Sequence, residues 1–145
     1  MRYLSVVAVM KDERKNLKVG VEHFYLYDNG SSDGSTEVLS PYIESGQVTY
    51  SYNTMDMCQM SCYFNAVTAF RDQSRWMAFI DLDEFLYSPK GDLKEQLKGF
   101  EQFPGIAVNE VFYGSNGHET RPADGVLLNY TKRRKEVDKH IKSIC

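Results

Sequence analysis

The chain has 145 residues, of which 42% are hydrophobic and 13% aromatic, so it is long and apolar enough for one globular domain with its own core. Its net charge of −3 argues against a dedicated nucleic-acid-binding protein. No apolar run approaches the ~20 residues of a membrane span, and no signal peptide precedes the first predicted strand. The three cysteines are odd in number and unevenly spaced, which favours reduced thiols in a cytoplasmic protein, with peripheral membrane association as an open alternative.

The predicted elements alternate between strand and helix. The predicted strands are Tyr3–Met10, Glu22–Tyr27, Gln47–Tyr52, Trp76–Ile80, Ile106–Tyr113 and Gly125–Thr131. The predicted helices are Asp12–Val19, a segment from Ser35 to about Pro41, Met57–Arg71 and Asp92–Phe103. This alternation is typical of an α/β domain with a mainly parallel central sheet flanked by helices.

The second predicted strand ends in a turn rich in Gly and Ser. In YLYDNGSSDGS (Tyr25–Ser35), Asp28 follows the strand directly and Ser35 begins a helix. A carboxylate and exposed backbone N–H groups at a sheet edge suit the ribose or base of a nucleotide. The alternative is an ordinary turn that caps a helix. The turn has neither a G-x-G-x-x-G nor a Walker pattern, so it indicates neither a dinucleotide fold nor a P-loop.

Two cysteines lie on the next predicted helix. Cys58 and Cys62 are four residues apart and share one helical face. A zinc site needs two further ligands at matching spacing, and the sequence offers none. We therefore predict buried thiols in the core.

The fourth predicted strand runs directly into three carboxylates. In WMAFIDLDEFL (Trp76–Leu86), Asp81, Asp83 and Glu84 follow five mostly apolar residues. Carboxylates are costly beside a buried strand unless they have a partner, and a hard divalent cation is the usual one. Ligands of open α/β sheets bind where parallel strands end, so the motif predicts a metal and phosphate site.

Together these segments resemble glycosyltransferases of the GT-A fold, in the branch related to family 2 and family 92. The resemblance covers essentially the whole chain and rests on VVAVMKDE (Val6–Glu13), GVEHFYLYDNGSSDGS (Gly20–Ser35), the helix containing Gln59, WMAFIDLDEFL (Trp76–Leu86), FYGSNGH (Phe112–His118) and YTKRRKEVDKHIKSI (Tyr130–Ile144). It implies one compact Rossmann-like domain over residues 1–145. Relatives of this kind have a longer first crossover and continue beyond the position of Cys145, so we expect a C-terminally truncated version of the family domain.

The resemblance also implies a ligand set. It implies a sugar-nucleotide donor of the UDP or GDP type and a Mn²⁺ or Mg²⁺ ion, which these hard oxygen ligands suit. The implied metal ligands are Asp81, Asp83 and His140. The residues implied to bind the donor are Val7, Ala8, Val9, Asp12, Glu13, Asp28, Asp81, Arg133, Arg134 and Lys142.

The function implied by the resemblance is transfer of a sugar, with inversion, to a hydroxyl of a carbohydrate or glycoconjugate. A base must then deprotonate that hydroxyl, and Glu84, Glu110 and His118 are candidates among which the sequence does not choose. The alternative is a degenerate module that binds the sugar nucleotide without turnover, which the short first crossover favours. Phosphatase, nucleotidyltransferase and glycosidase motifs fit the sequence less well. The oligomeric state is left open.

Overall fold

The computed structural model describes residues 1–10, 21–120, 122 and 126–145. These residues form two compact units, one made of residues 1–106 and 143–145 and the other of residues 107–142. The predicted helix Asp12–Val19 lies outside the described residues, as do the candidate site residues Asp12 and Glu13. The prediction of a single domain over residues 1–145 stays a prediction.

A mainly parallel sheet organises the described residues. Its strands are β1 (Arg2–Met10), β2 (His23–Asp28), β3 (Val48–Tyr52), β4 (Ser74–Phe79), β5 (Ile106–Asn109) and β6 (Ile141–Ile144). Their order is β3-β2-β1-β4-β6-β5. Strand β1 pairs in parallel with β2 and β4, and β2 pairs in parallel with β3, whereas β6 pairs with β4 in the antiparallel direction. The predicted α/β class with a mainly parallel sheet is therefore confirmed.

Two helices connect parallel strands: α1 (Ser35–Glu44) joins β2 to β3, and α2 (Gln59–Phe70) with a 3₁₀ turn at Arg71–Gln73 joins β3 to β4. Helix α3 (Leu93–Lys98) lies between β4 and β5, and α4 (Val126–Asn129) lies between β5 and β6. Helix α3 begins where the Asp92 side chain accepts hydrogen bonds from the backbone N–H groups of Lys94 and Glu95, at 2.8 and 3.1 Å. None of the helices in the described ranges is long and apolar enough to cross a membrane.

The core of the first unit lies on the face of the sheet that packs against α2. It contains Val7, Tyr25, Tyr27, Cys58, Cys62, Ala66, Met77 and Phe79. The strand residues of this cluster alternate in sequence because successive side chains point to opposite faces. The intervening residues are buried too, among them Val6, Leu26 and Ala78. Strand β1 is thus covered on both faces, as its continuous apolar run predicts.

Several predicted boundaries in the second half of the chain are wrong. The predicted strand Gly125–Thr131 contains a helical turn at Val126–Asn129, because a short apolar run does not distinguish strand from helix. The predicted helix Asp92–Phe103 ends at Lys98, followed by Gly99, and the predicted strand Ile106–Tyr113 ends at Asn109. Strand β6 was not predicted, since its sequence IKSI lies in a basic run without clear alternation.

Candidate functional site

The carboxyl ends of the four parallel strands lie at one edge of the sheet. Strand β1 is central there, with β2 on one side and β4 on the other. Met10 of β1 pairs with Asp28, the last residue of β2. On the other side Val7 of β1 pairs with Phe79, the last residue of β4, and Asp81 follows two residues later. The two predicted aspartates therefore flank the end of one strand, as the sequence predicts for an α/β ligand site.

Asp28 is a buried carboxylate with its own hydrogen-bond donors. Its side chain is only 1% exposed. One carboxylate oxygen accepts a hydrogen bond from the Tyr50 hydroxyl at 2.6 Å, and the other accepts one from the Ser31 backbone N–H at 2.8 Å. Burial raises the pKa of Asp28, but the hydrogen bonds from Tyr50, Ser31 and Gly30 outweigh burial and hold that pKa below its usual value. Asp28 is therefore an ionised carboxylate at the end of β2, where the sequence predicts a nucleotide-binding residue.

The turn after Asp28 is tied to the loop after β3. The side-chain amide of Asn29 donates hydrogen bonds to the backbone carbonyls of Asn53 and Met55, at 2.9 and 3.1 Å. Gly30 adopts φ 80°, in the left-handed region that favours glycine, so the sharp bend depends on this residue. These contacts fix the backbone that follows β2.

Two buried thiols anchor the start of α2 to these loops. The side-chain amide of Asn29 lies 3.3 Å from Sγ of Cys58, and the amide of Asn53 lies 3.3 Å from Sγ of Cys62. Cys58 and Cys62 are 4% and 1% exposed, which confirms the prediction of buried thiols. Burial raises the pKa of Cys62 to about 11, so this thiol stays protonated near neutral pH.

The acids after β4 form a closed turn. The Glu84 carboxylate accepts a hydrogen bond from the backbone N–H of Asp81 at 3.1 Å. The Glu84 backbone N–H in turn donates to the Asp81 carbonyl, also at 3.1 Å. Within this turn Leu82 is buried, whereas Asp83 is exposed. The turn thus directs one aspartate outward and holds the backbone of the other.

A residue of α2 reaches this turn. The side-chain amide of Gln59 donates a hydrogen bond to Oδ1 of Asp81 at 3.2 Å and lies 3.0 Å from the Tyr63 hydroxyl. The ring of Tyr63 packs edge-to-face on Phe79 with 5.0 Å between centroids. The family resemblance includes the helix containing Gln59 but implies no role for this residue. No local pattern reveals the contact, because it joins residues 22 positions apart.

The donor groups at this edge suit a hard cation bound together with phosphate. Among residues 1–10, 21–120, 122 and 126–145, no group of three or more His, Cys, Asp or Glu side chains is placed to hold a metal ion. Mg²⁺ commonly binds one or two carboxylates and completes its coordination with substrate phosphates and water. Asp81 and Asp83 supply carboxylates of that kind. His140 belongs to the other unit, so its part in this site stays a prediction.

The residues predicted to line a base pocket are mainly core residues. Val7 and Ala8 are fully buried at 0% exposure, and Val9 is partly buried against the α2 cluster. These residues belong to β1, the strand whose carboxyl end lies at the candidate site. A contact of any of the three with a nucleotide stays a prediction.

The second unit contains the remaining candidate residues. Glu110 and Lys142 form an ion pair, with 3.7 Å between Oε1 and Nζ. Nδ1 of His140 lies 2.5 Å from the Asp138 carboxylate, which also accepts the His140 backbone N–H at 3.0 Å. The ring of His118 packs edge-to-face on Tyr130, with 5.8 Å between centroids. Two candidate bases therefore have partners within this unit, and their catalytic roles stay predictions.

Two of the predicted basic residues, Arg133 and Arg134, lie between α4 and β6, outside the helices and strands. Arg133 forms an antiparallel bridge with Tyr113. The guanidinium of Arg134 lies 5.8 Å from the centre of the Phe112 ring, within the range of a cation–π contact. Both arginines are exposed, so they are available to an anionic ligand.

Comparisons with known proteins agree with this arrangement. The family model described as glycosyltransferase family 92 matches residues 15–145. A family 92 protein of Oryza sativa subsp. japonica is 31% identical over 132 residues, which are 88% of this chain and 22% of that protein. A family 92 protein of Arabidopsis thaliana is 30% identical over 145 residues, 87% of this chain and 24% of that protein. A galactan beta-1,4-galactosyltransferase of the same plant is 27% identical over 99 residues, 61% of this chain and 19% of that protein.

The structural comparison supports the same fold. The crystal structure of S. aureus TarS 1–349 matches with a TM-score of 0.53 at 14% identity, over 89% of this chain and 43% of that one. At this identity the likeness shows the fold alone, which is GT-A-like as the sequence resemblance implies. The chain spans about a quarter or less of the length of the curated relatives it matches. With a family match over residues 15–145, the chain belongs to glycosyltransferase family 92.

Proposed function

We propose that the chain is the donor-binding part of a metal-dependent, inverting glycosyltransferase. It transfers a sugar from a nucleotide-diphosphate sugar to a hydroxyl of a carbohydrate or glycoconjugate. One observation carries this proposal: Asp28 and Asp81 flank the end of β1 at the carboxyl edge of the parallel sheet. A buried, ionised carboxylate on one side and an acidic turn on the other suit the two ends of a nucleoside diphosphate.

The comparisons favour a uridine nucleotide and a hexose. TarS 1–349 has been crystallised in complex with UDP, and this complex matches the chain with a TM-score of 0.53 at 13% identity, over 83% of this chain and 38% of that one. The galactan galactosyltransferase relatives support transfer of a hexosyl group to a carbohydrate acceptor. UDP is therefore the first nucleotide to test, with GDP as the comparison.

Each residue of the edge has a task in this proposal. Asp28 accepts hydrogen bonds from the nucleoside, and Asp81 and Asp83 hold a Mn²⁺ or Mg²⁺ ion beside the diphosphate. Such an ion stabilises the negative charge that develops on the leaving diphosphate. The roles that the family resemblance implies for Arg133, Arg134, Lys142 and His140, which belong to the second unit, stay predictions.

The base that deprotonates the acceptor is one of three residues. Glu84 is already a hydrogen-bond acceptor for the Asp81 backbone, and Glu110 forms an ion pair with Lys142. His118 is exposed, and its ring has one edge-to-face contact. Because both glutamates already have a partner in the structure, a second candidate function is favoured as well. This is a module that binds the sugar nucleotide without turning it over.

Binding of UDP and GDP tests the proposal. Isothermal titration with and without Mn²⁺ is expected to show binding of one nucleotide that the metal strengthens. The variant Asp83→Ala is expected to lose most of the metal-dependent gain, because an oxygen ligand is removed. The matched control is Asp72→Ala, which removes an exposed aspartate before the amino end of β4 and is expected to bind like the unchanged chain.

Two results decide between the functions. Binding that is absent, or that Mn²⁺ leaves unchanged, contradicts the metal-dependent donor site. Release of UDP from a UDP-hexose in the presence of an acceptor identifies an enzyme, whereas tight binding without release identifies the binding module. The cytoplasmic location stays a prediction that the three cysteines motivate.

A further inference from the structure

Asp81 is held from two sides by its neighbours, and one of these neighbours comes from a distant part of the chain. Its backbone N–H is bound by the Glu84 carboxylate within the turn. Its side-chain Oδ1 is bound by the Gln59 amide, which belongs to α2. A hydrogen bond to one carboxylate oxygen restricts rotation of the carboxylate and therefore favours one direction for the other oxygen.

The packing of α2 determines where Gln59 lies. Gln59 is the first residue of α2, directly after the buried Cys58. The Tyr27 hydroxyl donates a hydrogen bond of 2.7 Å to Oδ1 of Asn65, six residues further along the same helix. The thiol contacts of Cys58 and Cys62 anchor the same end of the helix to the loops that follow β2 and β3. These contacts therefore restrain the backbone of Gln59, from which its side chain extends to Asp81.

The Gln59 side chain is also restrained along its length. Its amide nitrogen lies 3.0 Å from the Tyr63 hydroxyl, one turn further along α2. Tyr63 packs on Phe79, the last residue of the strand that delivers Asp81. A chain of contacts thus runs from the end of β4 through Tyr63 and Gln59 back to Asp81.

We propose that Gln59 is a positioning residue for Asp81. It orients the Asp81 carboxylate for the nucleotide and cation, and it couples that carboxylate to the position of α2. This inference rests on the proposed function, since it concerns the same donor site. The inference gives Asp81 a specific hydrogen-bond partner and gives a role to Gln59, an exposed residue at the start of α2.

A double-mutant cycle tests this role. The variant Gln59→Met keeps the length of the side chain but removes its donor, and is expected to weaken UDP binding in the presence of Mn²⁺ by about 10-fold. In an Asp81→Ala background the same change is expected to weaken binding by less than about twofold, because the coupling partner is gone. Gln96→Met at an exposed position of α3 is the matched control and is expected to leave binding unchanged in both backgrounds.

A measurement without nucleotide tests the contact itself. The side-chain amide resonances of Gln59, assigned by their loss in Gln59→Met, are expected to shift in Asp81→Ala and not in Asp72→Ala. Unmoved resonances overturn the proposal. UDP binding with equal losses in both backgrounds also overturns it, since Gln59 then acts independently of Asp81. Absence of UDP binding by the unchanged chain overturns the proposed function instead, and the amide shift then still reports whether the contact exists.

Discussion

At the scale of single residues, the candidate site contains two aspartates whose hydrogen-bond donors come from other segments of the chain. Asp28 depends on Tyr50 of the neighbouring strand, and Asp81 depends on Gln59 of α2. The sequence predicted both aspartates, because each follows a strand of recognisable pattern. It did not predict Tyr50 or Gln59, because a hydrogen bond between segments leaves no periodic signal. The aspartates of the candidate site were thus predictable from the sequence, whereas the residues that donate hydrogen bonds to them were not.

The hydrogen bond from Tyr50 predicts how stability changes with pH. The pKa of Asp28 is lowered in the folded chain, so its carboxylate contributes stability above its ordinary pKa of 3.8, and this contribution is lost as the pH falls through the lower folded value. Tyr50→Phe removes one donor and is expected to lower the free energy of unfolding at neutral pH by about 1–3 kcal/mol. The loss of stability between neutral pH and about pH 3 is expected to be smaller in this variant than in the unchanged chain.

The neighbouring tyrosine of β3 provides the control for this prediction. Tyr52 is 66% exposed, so Tyr52→Phe is expected to leave the urea-unfolding curves nearly unchanged at both pH values. Equal destabilisation by the two substitutions would show that the Tyr50 hydroxyl has no special role at Asp28.

At the scale of elements, interiors were easier to predict than ends. The apolar runs of β1 and β4 identified them as buried strands, and the helical spacing around Cys58 and Cys62 identified α2. The ends depended on single residues, such as Gly99 after α3. A short run such as Val126–Asn129 has too few residues to show a period, and tertiary contacts decided its conformation.

The turn after β4 is an element whose closure can be tested. Glu84→Gln keeps an oxygen that accepts the Asp81 backbone N–H, and is expected to bind UDP with Mn²⁺ like the unchanged chain. Glu84→Ala removes the acceptor and is expected to bind about fivefold more weakly, which corresponds to one hydrogen bond of about 1 kcal/mol. Titration calorimetry measures both. If the two variants lose affinity equally, the charge of Glu84 matters rather than its hydrogen bond, and if Glu84→Gln binds but releases no UDP, Glu84 is the base.

At the scale of the whole chain, one late strand completes a sheet that the first half of the sequence begins. Met77 of β4 exchanges backbone hydrogen bonds with Cys145, at 2.7 and 3.1 Å, and Ala78 pairs with Ile144. The parallel part of the sheet followed from the alternation of strands and helices. The antiparallel pairing of β6 did not, because pairing between residues more than sixty positions apart is set by tertiary packing.

Substitutions at two isoleucines of β6 test how much the pairing of this strand stabilises the fold. Ile144 is 1% exposed and Ile141 is 54% exposed. Ile144→Ala is expected to lower the free energy of unfolding by about 2–4 kcal/mol, because it leaves a cavity in the core. Ile141→Ala is expected to change it by less than about 0.5 kcal/mol. Urea unfolding followed by circular dichroism measures both, and similar losses at the two positions would contradict the burial of Ile144 in the sheet.

In the proposed donor site, the position of β1 between the two aspartates sets a minimum length for a ligand that contacts both. Neighbouring strands lie about 4.8 Å apart, so the ends of β2 and β4 are separated by roughly 10 Å across β1. Inorganic phosphate or a single free sugar is shorter than this span and reaches one aspartate at a time. A nucleoside joined to a diphosphate is long enough to contact both. The proposed site is therefore expected to discriminate by molecular length as well as by charge, so that a nucleoside or pyrophosphate alone contacts only one of the two aspartates.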